Sequence, residues 1–546
     1  MNKVMLTAVF AALLADCTAQ DGDWAAKRKA AVERPRTLVY NTDGCDMLYW
    51  PSNLAVSVEN FTGRRLKDVL GTCINTVSYC PQSAGFGHFT CAKAGEPLTG
   101  TVPHPRGGCY NSFTKFVELG TDALQMATEF CATNKLEVFV SVRVNDQHDS
   151  SSRPGRLSAL FPPFKQSHPE CLMGSLEKRH SSDGLYKGYA GWSCVNFDCE
   201  IVRERMKRFV RELVTNYDVD GIEYDFNRHF MLFKSVAMGG VASDAEIAKM
   251  TQLMRDLKSI TEEVGRRKNH PIVIAMRSPD SVEYCRAAGV DLKGWFGEKL
   301  VDVWIGAGYF RLNHWKMSAD LAHSYGVKFY ASLDESRIPG GAARKKLPIL
   351  PGRKTKEFYA ARFADAMASG CDGVYVFNIE NKFMRRICSM NPQDVSAVGK
   401  IRFAMNRGSG GYRPWRWVKD SAHFCNLSRI DPGEPLGVKA GETISFEMFI
   451  GDDPACLKSS DVTAKVLTNL EGARLDLVCN GVPVAPKSVQ DGVCTYSLDP
   501  DLLKKGMNVF AVEFPVSAPE GTTFNDFSLS TKSKIAEIAK KIAKKH

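Results

Sequence analysis

Short apolar runs alternate with amphipathic stretches through the first three quarters of the chain. The runs Thr37–Asn41, Ile74–Tyr79, Leu136–Val142, Gly221–Asp225, Ile272–Met276, Val301–Ile305, Lys328–Ser332 and Gly373–Phe377 are rich in Val, Ile, Phe and Tyr. Such runs, set between turn residues, predict eight strands. Between them, Asp122–Thr133, Cys199–Tyr217, Ser243–Val264, Lys316–Tyr325 and Lys354–Ala368 repeat apolar residues every three or four positions, the period of a helix packed on one face. Strand and helix in alternation predict parallel βαβ units, and eight of them predict an α/β fold, a (β/α)₈ TIM barrel over residues 35–410. The loops Asp43–Cys109 and Asp149–Asn196 are its main insertions, and Asp21–Glu33 reads as a charged spacer before it.

The pattern changes after Arg407–Trp417 (RGSGGYRPWRW), so residues 411–423 are expected to be a linker. From Phe424 onward apolar and polar residues alternate in Thr443–Ile450, Asp461–Leu467, Leu475–Asn480, Gly492–Leu498 and Asn508–Phe514. That pattern predicts an all-β sandwich over 424–530, a module that either binds glycans or braces a barrel.

One predicted strand departs from its pattern. In Asp220–His229 (DGIEYDFNRH), Glu223, Asp225 and Asn227 are spaced by two and share a face, while Ile222, Tyr224 and Phe226 share the other. A buried parallel strand is expected to be apolar throughout, and desolvated carboxylates cost several kcal/mol unless paired. Either arginines pair with them or they line a reactive cleft.

In a barrel of this kind chemistry sits at the C-terminal strand ends. The residues there are Asp43 after the first strand, Arg143, Asn145, Asp146 and His148 after the third, and Arg228 and His229 after the fourth. Arg277 ends the fifth, Asp334 and Glu335 the seventh, and Asn378 the eighth. A histidine beside acids suits proton transfer near neutral pH, and converging guanidiniums suit a substrate carboxylate. The same arginines oppose a metal ion, so no metal and no cofactor is expected. No G-x-S-x-G elbow of a serine hydrolase is present. Trp295, Trp304, Trp315, Tyr309 and Tyr330 are read first as core aromatics and second as platforms for sugar rings.

Composition adds a destination. Residues 1–19 carry Lys3, an apolar run and small residues, the pattern of a signal peptide. Leu14-Ala15-Asp16-Cys17 is close to a lipoprotein signal, with Asp16 in place of the expected small residue. Of the 17 cysteines, 16 follow this segment, a number that suits an oxidising compartment and a disulfide-bonded, exported protein. No C-x-x-C pair suggests zinc. Cys131 and Cys371 sit in apolar surroundings and read as buried thiols. The net charge of +10 is concentrated in the tail at 531–546, where Ile535, Ile538 and Ile542 form a stripe among lysines. Such a basic amphipathic tail suits either an anionic membrane surface or the protein's own face. Nucleic-acid modules are lacking in the sequence, so no nucleic-acid partner is expected.

The strand Asp220–Asn227 resembles the D-G-x-D-x-D-x-E strand of chitinase-like hydrolases of glycoside hydrolase family 18, with Asn227 where that family has its final acid. The substrate-assisted mechanism of that family needs the missing acid. Together with Arg143–Asp149 (RVNDQHD), the strand looks more like the family-10-like TIM-barrel glycosyl hydrolases. Within these, the arrangement is similar to the inverting exo-sialidases of glycoside hydrolase family 156. That resemblance implies Asp43 and His148 as the catalytic pair, Arg143 and Arg228 as carboxylate ligands and Asn378 as a polar contact. It covers the barrel only.

The expectation is thus an exported glycoside hydrolase acting on a terminal acidic sugar, with Asp43 and His148 catalytic. Arg143, Asn145, Asp225, Arg228, Arg277 and Asn378 would bind substrate. A second reading puts the chemistry on Asp225 or Glu223 with Asp334 or Glu335, acting on neutral glycans. A third is a non-catalytic surface protein that binds glycans.

Overall fold

The computed structural model describes residues 22–533 apart from 82–86, 89, 101–106, 178–190, 307, 309, 334–345, 378–389, 393–394, 396–397, 405–415 and 428–429. Eight parallel strands close into a barrel. They are β1 (Leu38–Thr42), β2 (Ile74–Tyr79), β3 (Glu137–Arg143), β4 (Gly221–Asp225), β5 (Val273–Ser278), β6 (Val303–Gly306), β7 (Lys328–Ser332) and β8 (Gly373–Phe377). Each pairs with its neighbour in sequence, and β1 closes on β8 with Leu38 beside Val374 and Asn41 beside Phe377. All eight predicted strands are present, with ends shifted by at most two residues.

Helices cover the barrel. Residues 22–33 form α1, followed by α2 (Ala123–Thr133), α3 (Glu200–Asn216), α4 (Asp244–Lys268), α5 (Trp315–Ser324) and α6 (Lys356–Ala368). Three of their starts follow the capping rules. Asp122 caps α2, Thr355 caps α6, and Ser243 with Glu246 forms a full capping box on α4. The segment expected as a charged spacer is instead α1, whose charges are used. Arg28 binds Asp302 through one nitrogen at 2.7–2.8 Å and Glu262 at 2.7 Å, and the Trp24 indole donates to Glu262 at 3.0 Å. Trp295 and Trp304 are fully buried, with their N–H groups on Thr251 and Ser278, so they are core residues. Cys131 and Cys371 are buried thiols, as their surroundings suggested.

The base of the barrel is closed by an ion pair. Arg36, just before β1, sends Nε and Nη2 to the two Glu137 oxygens at 2.6 Å each, and Thr76 donates to the same carboxylate at 2.8 Å. The remaining Arg36 donors cap the carbonyls of Ala31, Val32 and Arg34 at the end of α1.

The C-terminal strands are β9 (Lys400–Phe403), β10 (Thr443–Ile450), β11 (Ser460–Thr468), β12 (Asp476–Cys479), β13 (Val482–Val484), β14 (Ser488–Gln490), β15 (Val493–Leu498), β16 (Gly506–Glu513) and β17 (Thr523–Ser533). They form two antiparallel sheets, β9-β17-β11-β15-β14 and β10-β16-β12-β13, with the two-residue strand Leu436–Gly437 also on β17. A core of Phe446, Phe510, Phe524 and Phe527 lies between them. This is a barrel with an all-β sandwich. Two details differ from expectation. Strand β9 falls in the stretch expected to belong to the barrel, yet it pairs with β17 from Lys400–Thr531 to Phe403–Ser528. Trp417 and Val418, expected in a linker, are buried in the barrel's own core cluster. No described helix is long and apolar enough to cross a membrane.

Candidate active site

The acidic face of β4 points into the barrel. Glu223 is completely buried and accepts four hydrogen bonds, from Ser78 at 2.5 Å, Ser141 and Tyr375 at 2.9 Å, and Asn41 at 3.4 Å. Burial, then the charge of Asp225, pushes its carboxyl up to about 7. One turn of the pleat higher, Asp225 receives Arg277 Nη1 on both oxygens at 2.9 and 3.0 Å and the Asn227 N–H at 3.0 Å. The Arg277 guanidinium lies 4.4 Å from the Phe377 ring centre and is fully buried. These residues form the floor of the mouth. Asp225 and Arg277 are paired there.

Above the floor lies a chain of charges that runs between strands. Arg143 ends β3 and reaches Asp43, just past β1, at 2.5 Å, and Asp146 in its own following loop at 3.0 Å. Asp146 holds His148: its Oδ1 meets the ring Nδ1 at 2.6 Å and the backbone N–H of His148 at 2.7 Å. Arg228 Nη2 meets the other ring nitrogen, Nε2, at 2.9 Å and stands 4.0 Å from Asp43 Oδ2. A guanidinium only donates, so Nε2 accepts and Nδ1 carries the proton toward Asp146. Burial alone would raise the Asp146 carboxyl, but His148 and Arg143 hold it well below the usual carboxylate range. The side chain of His148 is 36% exposed, while Arg143 and Asp146 are sealed off. His148 therefore stands at the open surface of a buried charge network, in which the Asp43 side chain is only 13% exposed.

The sequence-expected residues do not all share this surface. Asp43, Arg143, His148 and Arg228 converge. Asn145 has a different task. Its amide donates to the Val195 and Met231 carbonyls at 2.8 and 2.7 Å and accepts from the Val195 and Asp146 N–H groups at 3.0 and 3.1 Å. All its capacity is used in pinning loops, which leaves none for a sugar. Tyr309, Asp334, Glu335 and Asn378 lie outside the described residues. His229 follows the same strand end as Arg228. It is buried beside His148, with ring centres 5.4 Å apart, and its Nδ1 stands 4.0 Å from Asp146 Oδ2. Burial lowers its pKa well below the usual histidine value, so the ring is neutral. Trp417 packs edge-on against it at 5.6 Å, a contact hidden in sequence by the Gly-rich stretch before that tryptophan.

Asp146, His148 and His229 each offer a ligand atom within 4.8 Å of the others, a spacing that a metal ion can use. Asp146 and His148 already bind guanidiniums, so an added dication would meet two fixed positive charges at contact distance.

No family model matches the chain, and neither does any curated protein. Solved structures show distant likenesses. The catalytic domain of psychrophilic chitinase B from Arthrobacter TAD20 is 13% identical over 67% of this chain and 96% of its own, with a TM-score of 0.34. The glycoside hydrolase domain of PgaB from Bordetella bronchiseptica is 11% identical over 66% and 97%, with a TM-score of 0.34. A family 18 N-acetylglucosaminidase from Paenibacillus barengoltzii is 12% identical over 54% and 68%, with a TM-score of 0.28. Likenesses at this level say nothing of chemistry.

Proposed function

We propose that this protein is an exported glycoside hydrolase that removes a terminal acidic sugar, sialic acid in the first instance, with inversion. The observation that carries the reading is the run Asp146–His148–Arg228–Asp43–Arg143. It sets a carboxylate and an oriented imidazole at one opening, each in contact with a buried guanidinium. Arg143 and Arg228 would turn part of their hydrogen bonding to the sugar carboxylate. Asp43 and His148 would then be released to act, one giving a proton to the departing glycosidic oxygen and the other taking a proton from the attacking water. Because one Arg228 nitrogen lies near both, the imidazole and carboxylate are at most about 7 Å apart, a limit that admits both the roughly 5–5.5 Å of retaining pairs and the short end of the roughly 6.5–9.5 Å of inverting ones. Export, with the signal peptide at residues 1–19 and the oxidising compartment suited to the cysteines, belongs to the same proposal.

The test is release of free sialic acid from a sialoside by the wild type and by Asp43→Asn, His148→Ala and Arg143→Ala. Loss of either proton-transfer group is expected to lower kcat by about 10²–10⁴-fold, and Arg143→Ala is expected to raise KM as well. Activity surviving in both Asp43→Asn and His148→Ala sinks the assignment. Turnover of neutral glycosides alone would move the chemistry elsewhere at the mouth, and binding without turnover would make the protein a lectin. Proton NMR of the first-formed anomer decides between inversion and retention.

A further inference from the structure

A cavity of about 60 Å³ lies between α5, α6 and strands β9 and β10 of the sandwich. That is room for several waters or one small polyatomic ion. Its lining holds three guanidiniums, Arg311, Arg362 and Arg402, against the carboxylates of Asp365 and Glu447. Arg402 is bound by Asp365 at 2.8 Å and Asp452 at 2.9 Å, and Asp280 lies in the field of Arg311. Glu447 sits at the half-exposed edge, 3.3 Å from His314.

Three further features point one way. The ten-residue helix α5 opens on the cavity at His314 and Trp315, and no side chain caps its first turn. A helix start of this kind presents bare N–H groups and the positive end of the helix dipole. The Trp315 indole N–H is buried and has no hydrogen-bond partner among the described residues, although the side chain is only 4% exposed. A buried donor left unmade costs about 1–3 kcal/mol unless something fills it. The guanidiniums of Arg311 and Arg362 lie 4.0 and 5.0 Å from the centre of the same indole ring. Donors and positive charge thus converge on one small space, and aromatic faces of Trp315 and Phe358 hold the guanidiniums in place.

We infer that this cavity binds an oxyanion, a sulfate, phosphate or carboxylate group, on the start of α5, the Trp315 indole N–H and the Arg362 guanidinium. The site joins the barrel to the sandwich, so its ligand would contact both. The shared chemistry suits either a free inorganic ion or an acidic group carried on a sugar.

Calorimetric titration of the full chain tests this, with sodium sulfate and glucuronate as probes and sodium chloride at matched ionic strength as control. Saturable binding of sulfate is expected, weakened by about tenfold in both Trp315→Phe and Arg362→Gln, with chloride giving none. Glucuronate binding with the same loss in the variants identifies a sugar-borne acid as a ligand, and sulfate alone identifies a free ion. Sulfate bound equally by wild type and both variants, or by neither, overturns the proposal. Should Arg362→Gln fail to fold, Trp315→Phe decides, since it removes the donor and keeps the aromatic ring.

Discussion

Glu223 shows how a single residue can be legible in part. The alternation of acids and apolar residues in DGIEYDFN places Glu223 and Asp225 on one face, and they do share the barrel interior. Which partners the two acids find depends on five other strands, and local sequence does not encode that. The same limit hid the role of Asn145, whose partners Val195 and Met231 lie 50 and 86 positions away. The raised Glu223 carboxyl has a measurable sign. Its folded value of about 7 exceeds the ordinary 4.5, so the folded state holds the proton more tightly than the unfolded chain. The stability this brings is full below pH 4.5 and is lost as pH rises through 7. Glu223→Gln stays neutral throughout. Between pH 4.5 and 8, urea unfolding should therefore move the wild type against the variant by about 3 kcal/mol. A gap that is the same at both pH values would mean that Glu223 ionises like an exposed acid.

At the scale of elements, the strands of the barrel were readable because each is short, apolar and rich in Val, Ile, Phe and Tyr. Helix α1 was not, because five of its twelve residues are charged and its reason for folding lies in Glu262 and Asp302, far along the chain. Strand β17, the longest of the sandwich, was missed for another reason: Thr523–Ser533 is full of Ser, Thr and Asn and has few β-branched apolar residues. The Arg36–Glu137 pair joins α1, β1 and β3 at the closed end of the barrel. Removing one partner strands a buried charge. Glu137→Ala is expected to lower the unfolding free energy by about 3–5 kcal/mol in urea titration, without altering substrate affinity, because the pair is at the end away from the mouth. A loss under about 1 kcal/mol, the size of a surface pair, would contradict the structural role.

Over the whole molecule, barrel and sandwich are fastened by buried ions. Arg402 of β9 binds Asp365 of α6 and Asp452 after β10, and Arg353 binds Asp526 of β17 at 2.7 and 2.8 Å. The Gly451 N–H donates to Asp365 at 2.7 Å, and a Cβ on Gly451 would stand 2.4 Å from the Ala364 carbonyl oxygen. Only glycine permits that approach. Calorimetry of the wild type is expected to show one melting transition. Arg402→Met, which leaves Asp365 and Asp452 buried without their arginine, is expected to split it in two as the sandwich melts first. A single transition shifted as a whole would mean that the two parts are joined by other contacts.

Strand β9 also decides where the protein can be cut. A chain ended at residue 410, where the sequence pattern turns over, would keep Lys400–Phe403 and lose the β17 edge that satisfies it. It would display an unpaired strand carrying Ile401 and Phe403, a template for joining other copies. A chain ended at 398 would shed that strand with its partner. Both barrels lose the core residues Trp417 and Val418, and of the two the longer is expected to aggregate more strongly in light scattering.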